Sequence, residues 1–92
     1  MKPLEQILVV DDDRGIRDLV CGFLGKHGYR VLAARDGREM LAALAGSRVD
    51  LIVLDLMLPG QYDGFEVCQR LRSHPSTRKI PIVIISALDD SE

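Results

Sequence analysis

Apolar residues occur along this chain in two patterns that take turns. Unbroken blocks, Ile7-Leu8-Val9-Val10, Leu51-Ile52-Val53-Leu54 and Ile82-Val83-Ile84-Ile85, have the length and β-branched content of buried strands. Between them, apolar residues recur every three or four positions, as on one face of a helix.

The first strand is expected over Gln6 to Val10, followed by a helix from Arg14 to Lys26 with Ile16, Leu19, Val20, Phe23 and Leu24 on its apolar stripe. Asp12 or Asp13 can cap its start, and Gly28 suits a left-handed exit. A second strand, Tyr29 to Ala33, is interrupted by Arg30, which suggests a sheet edge. Asp36 then caps a helix from Arg38 to Ala45 that carries Leu41 and Leu44 inward. The third strand is Leu51 to Leu54. Asp63 caps a third helix from Phe65 to Arg72, with Phe65, Cys68 and Leu71 on one side and Pro75 beyond its end. The fourth strand runs from Ile80 to Ile85, with Pro81 tolerable near its start.

Alternation of this kind predicts an α/β fold, a parallel sheet with helices on both faces. Strand four reads as an interior strand, yet nothing after it in the sequence could cover its outer side. A long apolar edge invites pairing with another chain, so a homodimer through the strand Ile80 to Ile85 is expected.

At 92 residues the chain is one domain, residues 1–92, with an aliphatic core, because only four residues are Phe or Tyr and none is Trp. The net charge of −2 gives no basic footprint for nucleic acid or an anionic membrane. No apolar run approaches a membrane span, and the N-terminus does not read as a signal peptide, so a cytoplasmic protein is expected. Cys21 and Cys68 lack metal-ligand spacing and read as small helix hydrophobes.

Three of the strands run into oxygen-bearing side chains: Asp11-Asp12-Asp13, Asp55 and Ser86. In an open parallel sheet the carboxyl ends of the strands share one rim, where ligands bind. Carboxylates gathered there repel one another, and a hard divalent cation such as Mg²⁺ relieves the repulsion. Capping explains one of the first three aspartates; it does not explain Asp55 at the end of another buried strand. Asp55 can act as a nucleophile that becomes an acyl phosphate, with Ser86 donating to a phosphoryl oxygen.

These residues carry a resemblance. Ile7-Leu8-Val9-Val10-Asp11-Asp12, then Asp55-Leu56-Met57-Leu58-Pro59 with Asp63-Gly64-Phe65-Glu66, then Ile82-Val83-Ile84-Ile85-Ser86-Ala87, resemble the receiver domain of two-component response regulators along the whole chain. The resemblance implies a flavodoxin-like doubly wound parallel sheet, here incomplete, with four strands in the order 2-1-3-4 and three helices. It implies that Asp55 is the phosphoacceptor, taking its phosphoryl group from a histidine kinase. Asp11 and Asp12 match the acidic pair, with Asp12 favoured as the direct Mg²⁺ ligand, and the Met57 carbonyl matches a further ligand. Ser86 matches the switch hydroxyl, and Ala87 the small residue that leaves room beside the phosphoryl group.

Two features depart from the pattern. Gly60-Gln61-Tyr62 is one residue longer than usual, an insertion expected to bulge outward. A full receiver continues past strand four with a helix, a strand that carries a lysine and a last helix, and this sequence lacks them, as a fragment, a short form completed by a second copy or a degenerate receiver would. Lys79 cannot stand in for that lysine, because it precedes strand four. Two other functions compete. One is a degenerate receiver serving only as a dimerisation or binding module. The other is a phosphatase resembling the haloacid dehalogenases, whose Asp-x-Asp motif occurs within Asp11-Asp12-Asp13 but whose further motifs do not. The receiver reading makes the chain a phosphoacceptor rather than an enzyme.

Overall fold

The computed structural model describes residues 5–56 and 64–85. In chain order these form β1 (Gln6–Val10), α1 (Arg14–Lys26), β2 (Arg30–Ala34), α2 (Gly37–Gly46), β3 (Leu51–Asp55), α3 (Gly64–Ser73) and β4 (Ile82–Ile85). All neighbouring strands are parallel, in the order β2-β1-β3-β4. This is the expected flavodoxin-like arrangement, with Arg30 on an edge strand as its polarity implied.

Alternation along the strands divides the core into two layers. Leu8, Val10, Ile52 and Leu54 face α2 and α3, where they meet Met40, Val67 and Leu71. Ile7, Val9 and Val53 face the other way, toward Val20, Cys21 and Leu24 of α1. Because β1 and β3 are covered on both faces, their sequences are continuously apolar.

The helix ends follow the sequence signals. Asp13, rather than Asp12, caps α1: its Oδ1 accepts from the Ile16 N–H at 3.0 Å. At the other end Gly28 takes a φ of +90°, the Tyr29 N–H donates to the Leu24 carbonyl and the Gly28 N–H to that of Gly25. That is a Schellman closure, which a side-chain-free residue adopts without strain. Asp36 caps α2 through the Glu39 N–H, and Glu39 reaches back to the Arg35 N–H.

Several boundaries and faces differ from the sequence reading. β2 lies one residue later than expected, β3 includes Asp55, and β4 starts at Ile82. Pro81 has no N–H for the ladder, and its carbonyl alone reaches β3, accepting from the Ile52 N–H. On α3 it is Val67, with Leu71, that is buried, whereas Phe65 is 69% exposed. On α1 the stripe is narrower than expected, because Leu19 and Phe23 stand largely in solvent. Leu41 is also partly exposed. The expected Asp63 cap and the Gly60-Gln61-Tyr62 insertion lie outside the described residues.

Candidate functional site

Strand register builds the site. Val10 pairs with Leu54, so the next residues, Asp11 and Asp55, stand level at the ends of adjacent central strands. Both continue the alternation of Val9 and Val53 and so project on the α1 side of the sheet. Asp11 is 2% exposed and Asp55 7%. Asp12 follows on the exposed turn into α1. One carboxylate oxygen from each of Asp11, Asp12 and Asp55 lies within 4.8 Å of the others.

Burial raises the Asp11 carboxyl above its ordinary value, and the Asp13 N–H, donating to its Oδ1 at 2.9 Å, opposes that rise. The negative charges of Asp55 and Asp12 raise it further, as does a side-chain hydrogen bond with Asp55. Carboxylates gathered this closely repel one another, and a divalent cation relieves the repulsion. Ligand oxygens of an octahedral Mg²⁺ lie about 3 to 4.2 Å apart, so the cluster is about the size of such a shell. Hard oxygen donors, two of them withdrawn from water, fit a divalent cation of this class.

The three aspartates singled out in the sequence are therefore brought together. Met57, Ser86 and Ala87 lie outside the described residues. The ladder nevertheless pairs Asp55 with Ile85, the residue before Ser86. The sequence reading missed Arg17. Its Nη1 donates to the Asp11 main-chain carbonyl at 2.9 Å. The signal was present, since Arg17 shares three- and four-residue spacing with the inward Val20, Cys21 and Leu24, an unusual place for a cation.

Known proteins resemble this chain in sequence and fold. Residues 7–92 match the family described as the response regulator receiver domain. The chain is 46% identical over 84 residues to the response regulator MprA of Mycolicibacterium vanbaalenii, covering 91% of this chain but 35% of that protein. Among solved structures, the N-terminal domain of a response regulator receiver protein from Methanoculleus marisnigri superimposes with a TM-score of 0.86 at 39% identity, over 98% of this chain and 74% of that one. The chemotaxis response regulator CheY4 of Vibrio cholerae gives a TM-score of 0.84 at 35% identity, over 89% of this chain and 68% of that one.

Proposed function

We propose, since this chain belongs to the response regulator receiver-domain family, that Asp55 accepts a phosphoryl group from a histidine kinase, with Mg²⁺ held by Asp11, Asp12 and Asp55. The observation that carries the reading is the meeting of these three carboxylates at the ends of β1 and β3.

An Asp55 carboxylate oxygen attacks the phosphorus of the donor phosphohistidine. A P–O bond forms as the P–N bond breaks, and the departing imidazole nitrogen keeps the electron pair and takes up a proton. Mg²⁺, when bound, offsets the negative charge that gathers between nucleophile and phosphoryl oxygens. Asp11 and Asp12 would hold that cation, their carboxylate oxygens lying within 4.8 Å of one of Asp55. The resemblance adds the Met57 carbonyl as a further ligand, Ser86 as a donor to the phosphoryl group, and Ala87 as the residue that leaves it room. In this reading the chain is an acceptor that is charged once and discharged slowly, and it works in the cytoplasm. Among the described residues no helix is long and apolar enough to cross a membrane.

Intact mass after incubation with Mg²⁺ and a small acyl phosphate tests the reading. One added phosphoryl group, absent from Asp55→Asn, is the expected result. No gain by the folded wild type overturns it.

A second reading, a binding or dimerisation module, draws support from β4. Val83 is 47% exposed and Ile84 42%, on opposite faces of a strand that ends the described sheet. Such binding survives Asp55→Asn.

A further inference from the structure

Arg17 has no part in the chemistry above, yet it holds the residue on which the acidic site is built. Asp11 is engaged from every side. Its main-chain N–H donates to the Ala34 carbonyl of β2 at 3.0 Å. Its Oδ1 accepts from the Asp13 N–H, its carboxyl meets Asp55 of β3, and its carbonyl accepts from the Arg17 guanidinium of α1 at 2.9 Å. With Asp11 only 2% exposed, water has little access to replace that last bond.

The Asp11 carbonyl and the Asp12 N–H belong to one rigid peptide plane. Fixing the carbonyl therefore fixes the direction in which the chain enters Asp12. Nothing else holds Asp12 by its side chain, which makes no hydrogen bond or ion pair among the described residues. Arg17 likewise makes no ion pair among the described residues, whose bridges join Arg14 to Asp18, Arg35 to Glu39 and Arg48 to Asp50. The contact that Arg17 makes with the site is its hydrogen bond to the Asp11 carbonyl.

We propose that Arg17 is a positioning residue: by anchoring the Asp11 carbonyl it fixes the Asp11–Asp12 peptide and so sets how the two carboxylates stand toward Asp55 and its cation. This rests on the receiver reading of the site. A guanidinium suits the task because it remains charged and its planar fork loses little freedom on binding a fixed acceptor.

The sign of the effect separates anchoring from charge. Removing a cation from beside a Mg²⁺ site tightens Mg²⁺ binding if charge alone matters. Removing an anchor weakens it, by about tenfold for an outer partner of a metal ligand. Titration calorimetry with Mg²⁺ on the full chain is expected to give about tenfold weaker binding for Arg17→Met. Arg17→Lys, which keeps the charge and a shorter donor, is expected to fall between Arg17→Met and wild type. Arg14→Ala removes one charge from the same turn without touching the anchor, and should bind as wild type or tighter. In the metal-free protein, hydrogen exchange at the Asp13 amide should speed up in both Arg17 variants. Equal or tighter Mg²⁺ binding by Arg17→Met, with Asp13 protected as in wild type, overturns the proposal. Should Arg17→Met not fold, Arg17→Lys decides alone: intermediate binding supports the anchor, and wild-type behaviour overturns it. If wild type itself binds no Mg²⁺, the metal reading fails, and the Asp13 amide still tests the anchor.

Discussion

Asp11 and Asp55 end neighbouring central strands at the same level, both buried, with a carboxylate oxygen of each within 4.8 Å of the other. The relationship is unfavourable to the fold when both groups are ionised, and only the register that pairs Val10 with Leu54 enforces it. Site and strain are thus one feature. The apolar strands hold the carboxylates together, and the proposed Mg²⁺-assisted phosphoryl transfer would use them.

The raised Asp11 carboxyl makes stability depend on pH in a direction opposite to ordinary acid denaturation. The folded chain holds this proton more tightly than the unfolded one, so ionisation costs stability. The penalty is full above the raised folded value and vanishes below the unfolded 3.8. Without metal, Asp11→Asn is expected to be more stable than wild type at pH 7, with the advantage shrinking as the pH falls toward 4. An Asn can still accept from Asp13 and donate to Asp55. With saturating Mg²⁺ at pH 7 the order reverses, because binding stabilises the wild type alone. Urea melts with and without chelator measure both; a wild type that outlasts Asp11→Asn in chelator would contradict it.

Adjacent aspartates should separate by role. Asp13 caps α1, so Asp13→Ala is expected to lose about 1 kcal/mol of stability. Its effect on Mg²⁺ is small, since the N–H that supports Asp11 belongs to the main chain. Asp12 caps nothing and is exposed, so Asp12→Ala should leave the melt within about 0.5 kcal/mol of wild type. Its cost falls on Mg²⁺ affinity, by tenfold or more if it is a direct ligand. The paired melts and Mg²⁺ titrations check this, and the reverse pattern would exchange the two roles.

Much of this was legible in the sequence because its causes are local or periodic. Asp36 and Gly28 mark helix ends through bonds made within a few residues, and β1 and β3 announce burial on both faces by being apolar throughout. The acidic trio was legible because strand ends share a rim whatever the detailed packing. What escaped depended on neighbours. Phe65 looked inward from its spacing with Cys68 and Leu71, but it is Val67, packed with Leu71 against the core of β1 and β3, that is buried. Arg17 escaped because an arginine on an apolar stripe has no meaning until the carbonyl it reaches is known. The start of β4 depended on what Pro81 can pair with, which only the ladder to Ile52 reveals.

The face of α3 is open to direct test. Leu71 and Val67 are each 1% exposed within the layer that holds Met40 and Ile52. Leu71→Ala should cost about 2–5 kcal/mol, much of the stability of a domain this small. Phe65→Ala, at a residue 69% exposed, should stay within about 0.5 kcal/mol. Thermal melts of the two variants decide. A large loss at Phe65 would show that this ring is covered in solution by something beyond the described residues.

The β4 edge yields the last expectation. Ile82–Ile85 contains no charge and no proline, the devices that keep edge strands from pairing. β2, at the opposite edge, begins with the exposed Arg30 and is so protected. Among the described residues nothing covers this edge, and with Val83 47% exposed and Ile84 42% exposed it should make the chain self-associate as concentration rises. Val83→Lys places a charge on the α1-side flank of that edge while leaving the strand's main-chain bonds to β3 intact. Light scattering across a concentration series should show the average mass of the wild type rising, and that of Val83→Lys staying near one chain. Both proteins should bind Mg²⁺ alike, since the substitution is remote in register from Asp11 and Asp12. If wild type remains monomeric throughout, the homodimer reading of this strand is wrong. If Val83→Lys associates as strongly as wild type, the contact lies elsewhere, with the exposed Leu19 and Phe23 of α1 the next surface to substitute.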